Sequence, residues 1–179
     1  MSERTRTSLL ILAGPLCSGK TTLAKALAEQ TGALVVSARA ELHKLGATGD
    51  RGDLQDFGTA LERRTGGAWL ASAVPSADEH PAPVIVDSAR TLNQIRALRS
   101  IRQDVVVMYL TAPLEERRQR YERRDDPVDR GRSVESALSG EQEDVGELAA
   151  HADLQLETGN ETPLDVLSRA RRLVELRRV

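Results

Sequence analysis

Short apolar runs alternate with stretches of helical period along this chain. Leu9-Leu10-Ile11-Leu12-Ala13 is continuous and of strand length, the pattern of a strand buried on both faces. Leu34-Val35-Val36, Val84-Ile85-Val86 after the breakers Pro81 and Pro83, Val105 to Leu110, and the weaker Leu154-Gln155-Leu156 read the same way. A helix is predicted from about Lys20 to Gln30, with Leu23 and Leu27 four apart on one face and Gly32 at the stop position. Leu92, Ile95, Leu98 and Ile101 recur every three residues, and Val134, Leu138, Val145 and Leu148 share a later stripe. Thr162, Pro163 and Asp165 form a helix start, and Val166, Ala170 and Leu173 would be that helix's buried face. Apolar strands separated by helices imply an α/β protein with a parallel sheet covered on both sides.

The length of 179 residues bounds this to one domain, 1–179, with room for a lid. Lys+Arg is 25 and Asp+Glu is 27, a net charge of −2, which argues against a basic nucleic-acid binder. The single cysteine, Cys17, excludes an internal disulfide and a zinc cluster and fits a reducing compartment. His43, His80 and His151 show no metal spacing. No apolar run reaches the ~20 residues of a membrane span, and Met1–Thr7 lacks a signal-peptide layout. The expectation is a cytoplasmic protein, monomer or homodimer, with neither nucleic acid nor membrane as partner.

Gly14-Pro15-Leu16-Cys17-Ser18-Gly19-Lys20-Thr21 fits G-x-x-x-x-G-K-[ST], the P-loop or Walker A motif, and stands between an apolar strand and an amphipathic helix as that motif requires. Successive backbone N–H groups make a concave nest for phosphate oxygens, and the helix N-terminus adds partial positive charge. Gly14 through Thr22 would hold the donor, Lys20 would reach the β- and γ-phosphates, and Thr21 would offer its hydroxyl to Mg²⁺. An acid at the end of a neighbouring strand completes such a site, and Asp87 after Val84-Ile85-Val86 is the candidate, as metal-site acid or as the group that orients the acceptor hydroxyl. Arg117, Arg120 and Arg124, three and four apart, would share a helix face leading into the charged break Arg123–Arg132, with Arg130 and Arg132 beyond, a plausible mobile loop. Guanidinium groups arriving from a lid stabilise the charge on a phosphoryl group in transfer.

Two other nucleotide-binding readings fare worse. Leu138-Ser139-Gly140-Glu141-Gln142 has the look of an ABC-type signature, but that reading needs a following strand that ends in Asp-Glu, and Asp153 precedes its strand. No N-K-x-D sequence for reading guanine is present. Of the four aromatic residues, Phe57 and Trp69 fall in the expected acceptor region. They would either stack on a base or anchor small helices, the second being favoured where large side chains are few; Tyr109 and Tyr121 lie elsewhere.

Taken together, these motifs resemble the P-loop nucleoside and deoxynucleoside monophosphate kinase superfamily, which includes adenylate kinase-like and dephospho-coenzyme A kinase-like proteins. Val84-Ile85-Val86-Asp87-Ser88-Ala89-Arg90 is similar to that family's third strand ending in D-G-x-R. Leu110-Thr111-Ala112-Pro113 with Arg117 and Arg120 is similar to its passage into the lid helix. Ala152-Asp153 resembles the approach to its last strand. Arg51-Gly52-Asp53-Leu54-Gln55-Asp56-Phe57-Gly58 resembles the acceptor segment of the deoxynucleoside monophosphate kinase-like branch, and Ser37-Ala38-Arg39 falls where the acceptor helices begin. The resemblance implies a doubly wound five-stranded sheet of order 2-3-1-4-5, an acceptor region at about 37–75, and a lid at about 117–140. It implies ATP and Mg²⁺ as cofactors, with Arg117 at the donor.

Several positions depart from the family. Ser88 replaces a usual glycine, Leu42 stands where an acceptor-binding arginine is common, Glu62 sits near another expected arginine, and Ser139–Glu143 lacks the arginines related kinases carry after the lid. The expected activity is transfer of the γ-phosphoryl group from ATP to a nucleoside or deoxynucleoside monophosphate. Catalysis would rest on Lys20, Asp87, Arg120 and Arg124, the metal on Thr21 and Asp87, and the acceptor on Ser37, Arg39, Arg51, Gln55 and Arg90. The alternatives are a P-loop kinase for a nucleoside or a non-nucleotide acceptor, such as a coenzyme precursor or secondary metabolite, and a non-catalytic nucleotide-binding module.

Overall fold

A computed structural model describes residues 9–80, 82–102, 104–129, 131–139 and 147–176. The strands are β1 (Leu9–Ala13), β2 (Leu34–Ser37), β3 (Val84–Asp87), β4 (Val105–Thr111) and β5 (Leu154–Glu157). They form one sheet of order β2-β3-β1-β4-β5, every neighbouring pair parallel. The expected order holds. The helices are α1 (Lys20–Thr31), α2 (Ala38–Lys44), α3 (Arg51–Thr65), α4 (Ala68–Ala71), α5 (Leu92–Ile101), α6 (Leu114–Glu122), α7 (Val134–Ser139) and α8 (Pro163–Leu176), with a 3₁₀ turn at Pro127–Asp129.

The continuous apolar run of β1 has a direct cause. Side chains alternate across a strand, so Leu9, Ile11 and Ala13 face one core while Leu10 and Leu12 face the other. The first core is completed by Leu61, Trp69, Leu70, Ile95 and Leu98 from α3, α4 and α5. The second is completed by Leu23 and Leu27 of α1 and Val166 and Ala170 of α8. Each fully buried aliphatic side chain of this kind contributes about 1.5–3 kcal/mol. Gly32 ends α1 in the left-handed region at φ 69°, donating to Ala28 O. Thr162 and Asp165 exchange hydrogen bonds as a capping box at the start of α8.

Three sequence expectations need correction. Ile101 is 39% exposed although it continues the α5 stripe, because the helix ends there and Arg102 turns into extended backbone. Leu138 and Leu148 belong to different clusters, Leu138 packing with Leu16 and Tyr121 and Leu148 with the α3–α5 core; α7 stops at Ser139, so the stripe is not one helix. Val145, Arg130, Pro81, Met1–Thr7 and residues 140–143 lie outside the described residues. Finally, α6 stops at Glu122, so Arg124 is not on the helix face of Arg117 and Arg120. Pro127 accounts for this: a proline disfavours helix in the residue before it and lacks the amide to continue one.

The acceptor-side helices are tied to the end of β3 by one carboxylate. Glu62 of α3 accepts from Trp69 Nε1 (3.1 Å), Gln94 Nε2 (3.1 Å) and Thr91 Oγ1 (2.5 Å). Thr91 caps α5, and Gln94 Oε1 accepts the Arg90 amide. Glu62, standing near a position where an arginine was expected, is therefore a structural hub. Trp69 is 7% exposed and belongs to the core, which settles it as a helix anchor. Glu62→Ala leaves buried donors on Gln94 and Trp69 unmade. A loss of about 1–3 kcal/mol is expected, read as a lower denaturation midpoint with a blue- or red-shifted emission from the single tryptophan.

Candidate active site

β1, β2 and β3 run parallel, so their carboxyl ends open at one edge of the sheet. There the register places Asp87 beside Leu12 of β1 and Ser37 of β2. The chain leaves β1 through Gly14, whose φ is 137°. A Cβ built on it would lie 2.1 Å from Leu110 O of β4, so only glycine lets the loop start this close to the sheet. The loop then turns through Cys17 at φ 62° and Gly19 at φ 92° into α1. Ser18 is fully buried beneath it.

Lys20 and Thr21 open α1 at this edge. The Lys20 ammonium donates across the loop to Gly14 O (2.8 Å) and Pro15 O (2.7 Å). Thr21 Oγ1 donates to Asp87 Oδ2 at 2.8 Å, across 66 residues of sequence. Asp87 is 5% exposed, and its other oxygen accepts from Ser88 Oγ at 2.9 Å. A hydroxyl and a carboxylate side by side at the mouth of the loop are the hard oxygen donors Mg²⁺ takes. Among the described residues no group of three or more His, Cys, Asp or Glu could hold a metal. This pair therefore fits a cation that draws its remaining ligands from water and phosphate.

The arginines divide into two groups. Arg117 is buried and its Nε donates to Ala112 O at 3.2 Å, beneath α6. Arg120 reaches the P-loop: Nη1 donates to Cys17 O (3.2 Å) and Thr158 Oγ1 (2.9 Å), Nη2 to Thr158 O (2.6 Å) and Glu116 Oε2 (3.1 Å). Thr158 in turn donates to Ser18 O at 2.9 Å. α6, the loop after β5 and the P-loop are thus one hydrogen-bonded unit. Beside it lies a groove of about 610 Å³ between α6 and the turn into α8, lined by Glu116, Arg120, Arg123, Asn160 and Thr162 among others. The sequence marked Arg120 on one wall and the Thr162 helix start on the other, but not that they meet, because the two walls lie some forty residues apart.

The second group meets at the charged break after α6. Arg124 pairs with Asp126 and with Asp129 (3.4 Å). Arg39 of α2 pairs with Asp126 at 2.6 Å, and Arg51 of α3 with Asp129 at 2.5 Å. The Arg51 and Asp129 side chains are only 7% and 8% exposed. Two aspartates of the charged break therefore collect arginines from both sides of the mouth. Tyr121 is buried beside them, and burial together with Asp129 pushes its hydroxyl above the ordinary tyrosine value. The sequence reading weighed this segment for its arginines and passed over Asp126 and Asp129; the signal available was Asp125-Asp126-Pro127 interrupting the helix. Gln55 lies one turn beyond Arg51 on α3, half-buried. Ser37 caps α2, accepting from Ala40 N at 3.4 Å. Arg90 is exposed at the turn after β3, and Thr22 is exposed on α1.

Cys17 sits where the two groups meet. Burial raises its thiol above the ordinary value, against the opposing pull of Arg124 and Lys20. A thiol held protonated is a weak nucleophile. Iodoacetamide at pH 7.5 is expected to label Cys17 more slowly than it labels glutathione, with mass spectrometry as the readout; equal or faster labelling would contradict this placement.

No helix among the described residues is long and apolar enough to cross a membrane. Comparison with curated proteins finds no match. Among solved structures, shikimate kinase from Acinetobacter baumannii in complex with shikimate is 20% identical, with a TM-score of 0.70 over 97% of this chain and 96% of that one. A sugar kinase from Janibacter sp. HTCC2649 is 20% identical, TM-score 0.64, over 94% and 95%. A gluconokinase from Sinorhizobium meliloti 1021 is 16% identical, TM-score 0.57, over 96% and 94%. At such identities the likeness is one of fold alone. The family model for an AAA domain matches residues 10–146, from β1 through the P-loop and the lid arginines, and the chain belongs to that P-loop family.

Proposed function

We propose that this protein is an ATP-dependent phosphotransferase acting on a hydroxyl of a small polar acceptor that is not a nucleotide. The donor half of the reading rests on the P-loop with Thr21 and Asp87 in contact at its mouth. The acceptor half rests on a single observation: two of the three arginines expected to clamp an anionic acceptor, Arg39 and Arg51, are ion-paired to Asp126 and Asp129, while the third, Arg90, is exposed at the turn after β3. A phosphorylated acceptor would have to displace carboxylates that already neutralise those guanidinium groups, one of them in a buried pair. A neutral sugar makes no such demand, and a hydroxy acid brings one negative charge where a phosphate monoester brings nearly two. The similar structures, a shikimate kinase, a sugar kinase and a gluconokinase, agree with that class of acceptor.

In this mechanism the P-loop amides and the start of α1 bind the triphosphate, and the groove between α6 and Asn160 receives the nucleoside part. Mg²⁺, held by Thr21 with Asp87 behind it, would supply charge neutralisation on the β- and γ-phosphates. Lys20 turns from the Gly14 and Pro15 carbonyls to the γ-phosphate. Residues of about 37–75 form the acceptor wall and those of about 117–140 the lid. The acceptor oxygen bonds to the γ-phosphorus as the bond from phosphorus to the β,γ-bridging oxygen breaks. ADP leaves, and the hydroxyl proton passes to solvent. Arg124, only partly buried, would turn from Asp126 and Asp129 to meet the charge that spreads over the moving group.

ADP release with a panel of sugars, hydroxy acids, nucleosides, nucleoside and deoxynucleoside monophosphates and dephospho-coenzyme A tests this. Turnover with a sugar or hydroxy acid is expected. Fastest turnover with a monophosphate would return the acceptor to the nucleotide class, and tight ATP binding with no acceptor-dependent ADP release would make the protein a binding module.

A further inference from the structure

Ser88 follows the proposed metal-site acid in a backbone conformation its side chain disfavours. Its φ is 76°, in the left-handed region, where a Cβ meets the neighbouring carbonyl and glycine is the residue at ease. Ser88 is not at a chain reversal that lacks alternatives: Ala89 continues at once, its amide donating to Leu12 O of β1 at 3.1 Å. What the serine contributes is its hydroxyl, which donates to Asp87 Oδ1 at 2.9 Å while Thr21 Oγ1 donates to Oδ2 at 2.8 Å. The carboxylate is gripped from both sides and is 5% exposed.

We infer that Ser88 is a positioning residue for the metal site, its strained backbone retained because the hydroxyl fixes the plane of the Asp87 carboxylate. The inference rests on the reading of Asp87 and Thr21 as the Mg²⁺ pair. With one oxygen occupied by Ser88, the carboxylate cannot rotate about its bond to Cβ without losing a hydrogen bond. Oδ2 is thereby kept toward Thr21 and the phosphates. Strain of this sort persists where surrounding structure over-determines it, and it clusters at functional positions. Partners of this outer kind typically change metal affinity by about 10–100-fold.

Two substitutions separate this role from a structural one, because they move stability in opposite directions. Ser88→Gly removes the strain and the hydroxyl together, so the metal-free protein is expected to melt about 2–4 °C higher. Ser88→Ala keeps the strain and loses the hydroxyl, so it is expected to melt lower. Both are expected to weaken Mn²⁺ binding to the protein–ADP complex about 10-fold, followed by electron paramagnetic resonance of free Mn²⁺. Binding of ADP in the presence of a chelator should be unchanged in both. Wild-type Mn²⁺ affinity in either variant would overturn the inference. Asp87→Asn, run alongside, distinguishes the two levels: if it weakens Mn²⁺ binding while the Ser88 variants do not, only the role of Ser88 falls, and if it too has no effect, the metal-site reading falls with it.

Discussion

Lys20→Ala is expected to slow phosphoryl transfer by about 10²–10³-fold or more while leaving a folded protein. The two halves of that expectation have separate causes. In the folded state the ammonium donates to the Gly14 and Pro15 carbonyls and grazes Ser18 Oγ at 3.5 Å. Lys20 is half-buried at the first position of α1, where alanine suits the helix well. The melting temperature should therefore stay within about 2–4 °C of wild type. The transition state loses far more. The ammonium is the only side-chain cation of the P-loop, and charge on the γ-phosphoryl group grows as the bond to ADP breaks. The amides of residues 16–20 and the α1 terminus remain, so affinity for ATP should fall less than kcat. Single-turnover rates and calorimetric ATP binding measured on the same preparation would show the split. Undiminished turnover in Lys20→Ala would remove the P-loop from the chemistry altogether.

The parts of this molecule that sequence reading reached are those whose determinants are local. The β1 run, the glycines of the loop and the Thr162-Pro163-Asp165 cap each specify their own geometry within a few residues, and the strand order followed from the resemblance they supported. Asp87 was legible because a strand of four residues leaves little choice of where its end falls. Residues whose partners come from afar were not legible. Asp129 meets Arg51 across 78 residues, Arg39 meets Asp126 across 87 and Arg120 meets Cys17 across 103. Asp125-Asp126-Pro127 marks where a helix breaks, but nothing in the local chain says that Asp126 and Asp129 pair with Arg39 and Arg51 rather than face solvent. Spacing also misled where a helix was assumed to continue, since Arg124 matches the period of Arg117 and Arg120 but lies past the end of α6. The proposal of a non-nucleotide acceptor rests on two of these long-range pairs.

Asp129→Ala carries the second large effect, expected as a loss of about 3 kcal/mol in stability together with a change in what the protein binds. Arg51 and Asp129 are both more than nine-tenths buried, and removing one member of a buried pair costs about 3–5 kcal/mol because the other charge stays desolvated. The lower figure applies because Arg124, which also leans on Asp129 at 3.4 Å, is only partly buried and can turn toward water. For a chain of this size the melting temperature should fall by roughly 6–12 °C. Arg51→Met combined with Asp129→Leu removes both charges, and such replacements are often neutral or stabilising, so the double variant should recover most of the loss. That recovery separates a pairing effect from simple damage to the lid. Specificity gives the second readout. With the Asp129 carboxylate gone, Arg51 loses that counter-charge, and inorganic phosphate should then bind and protect Asp129→Ala against thermal unfolding more than it protects wild type. Equal protection of both proteins, or equal stability of both, would mean that this pair does not guard the acceptor site, and the case against a phosphorylated acceptor would go with it.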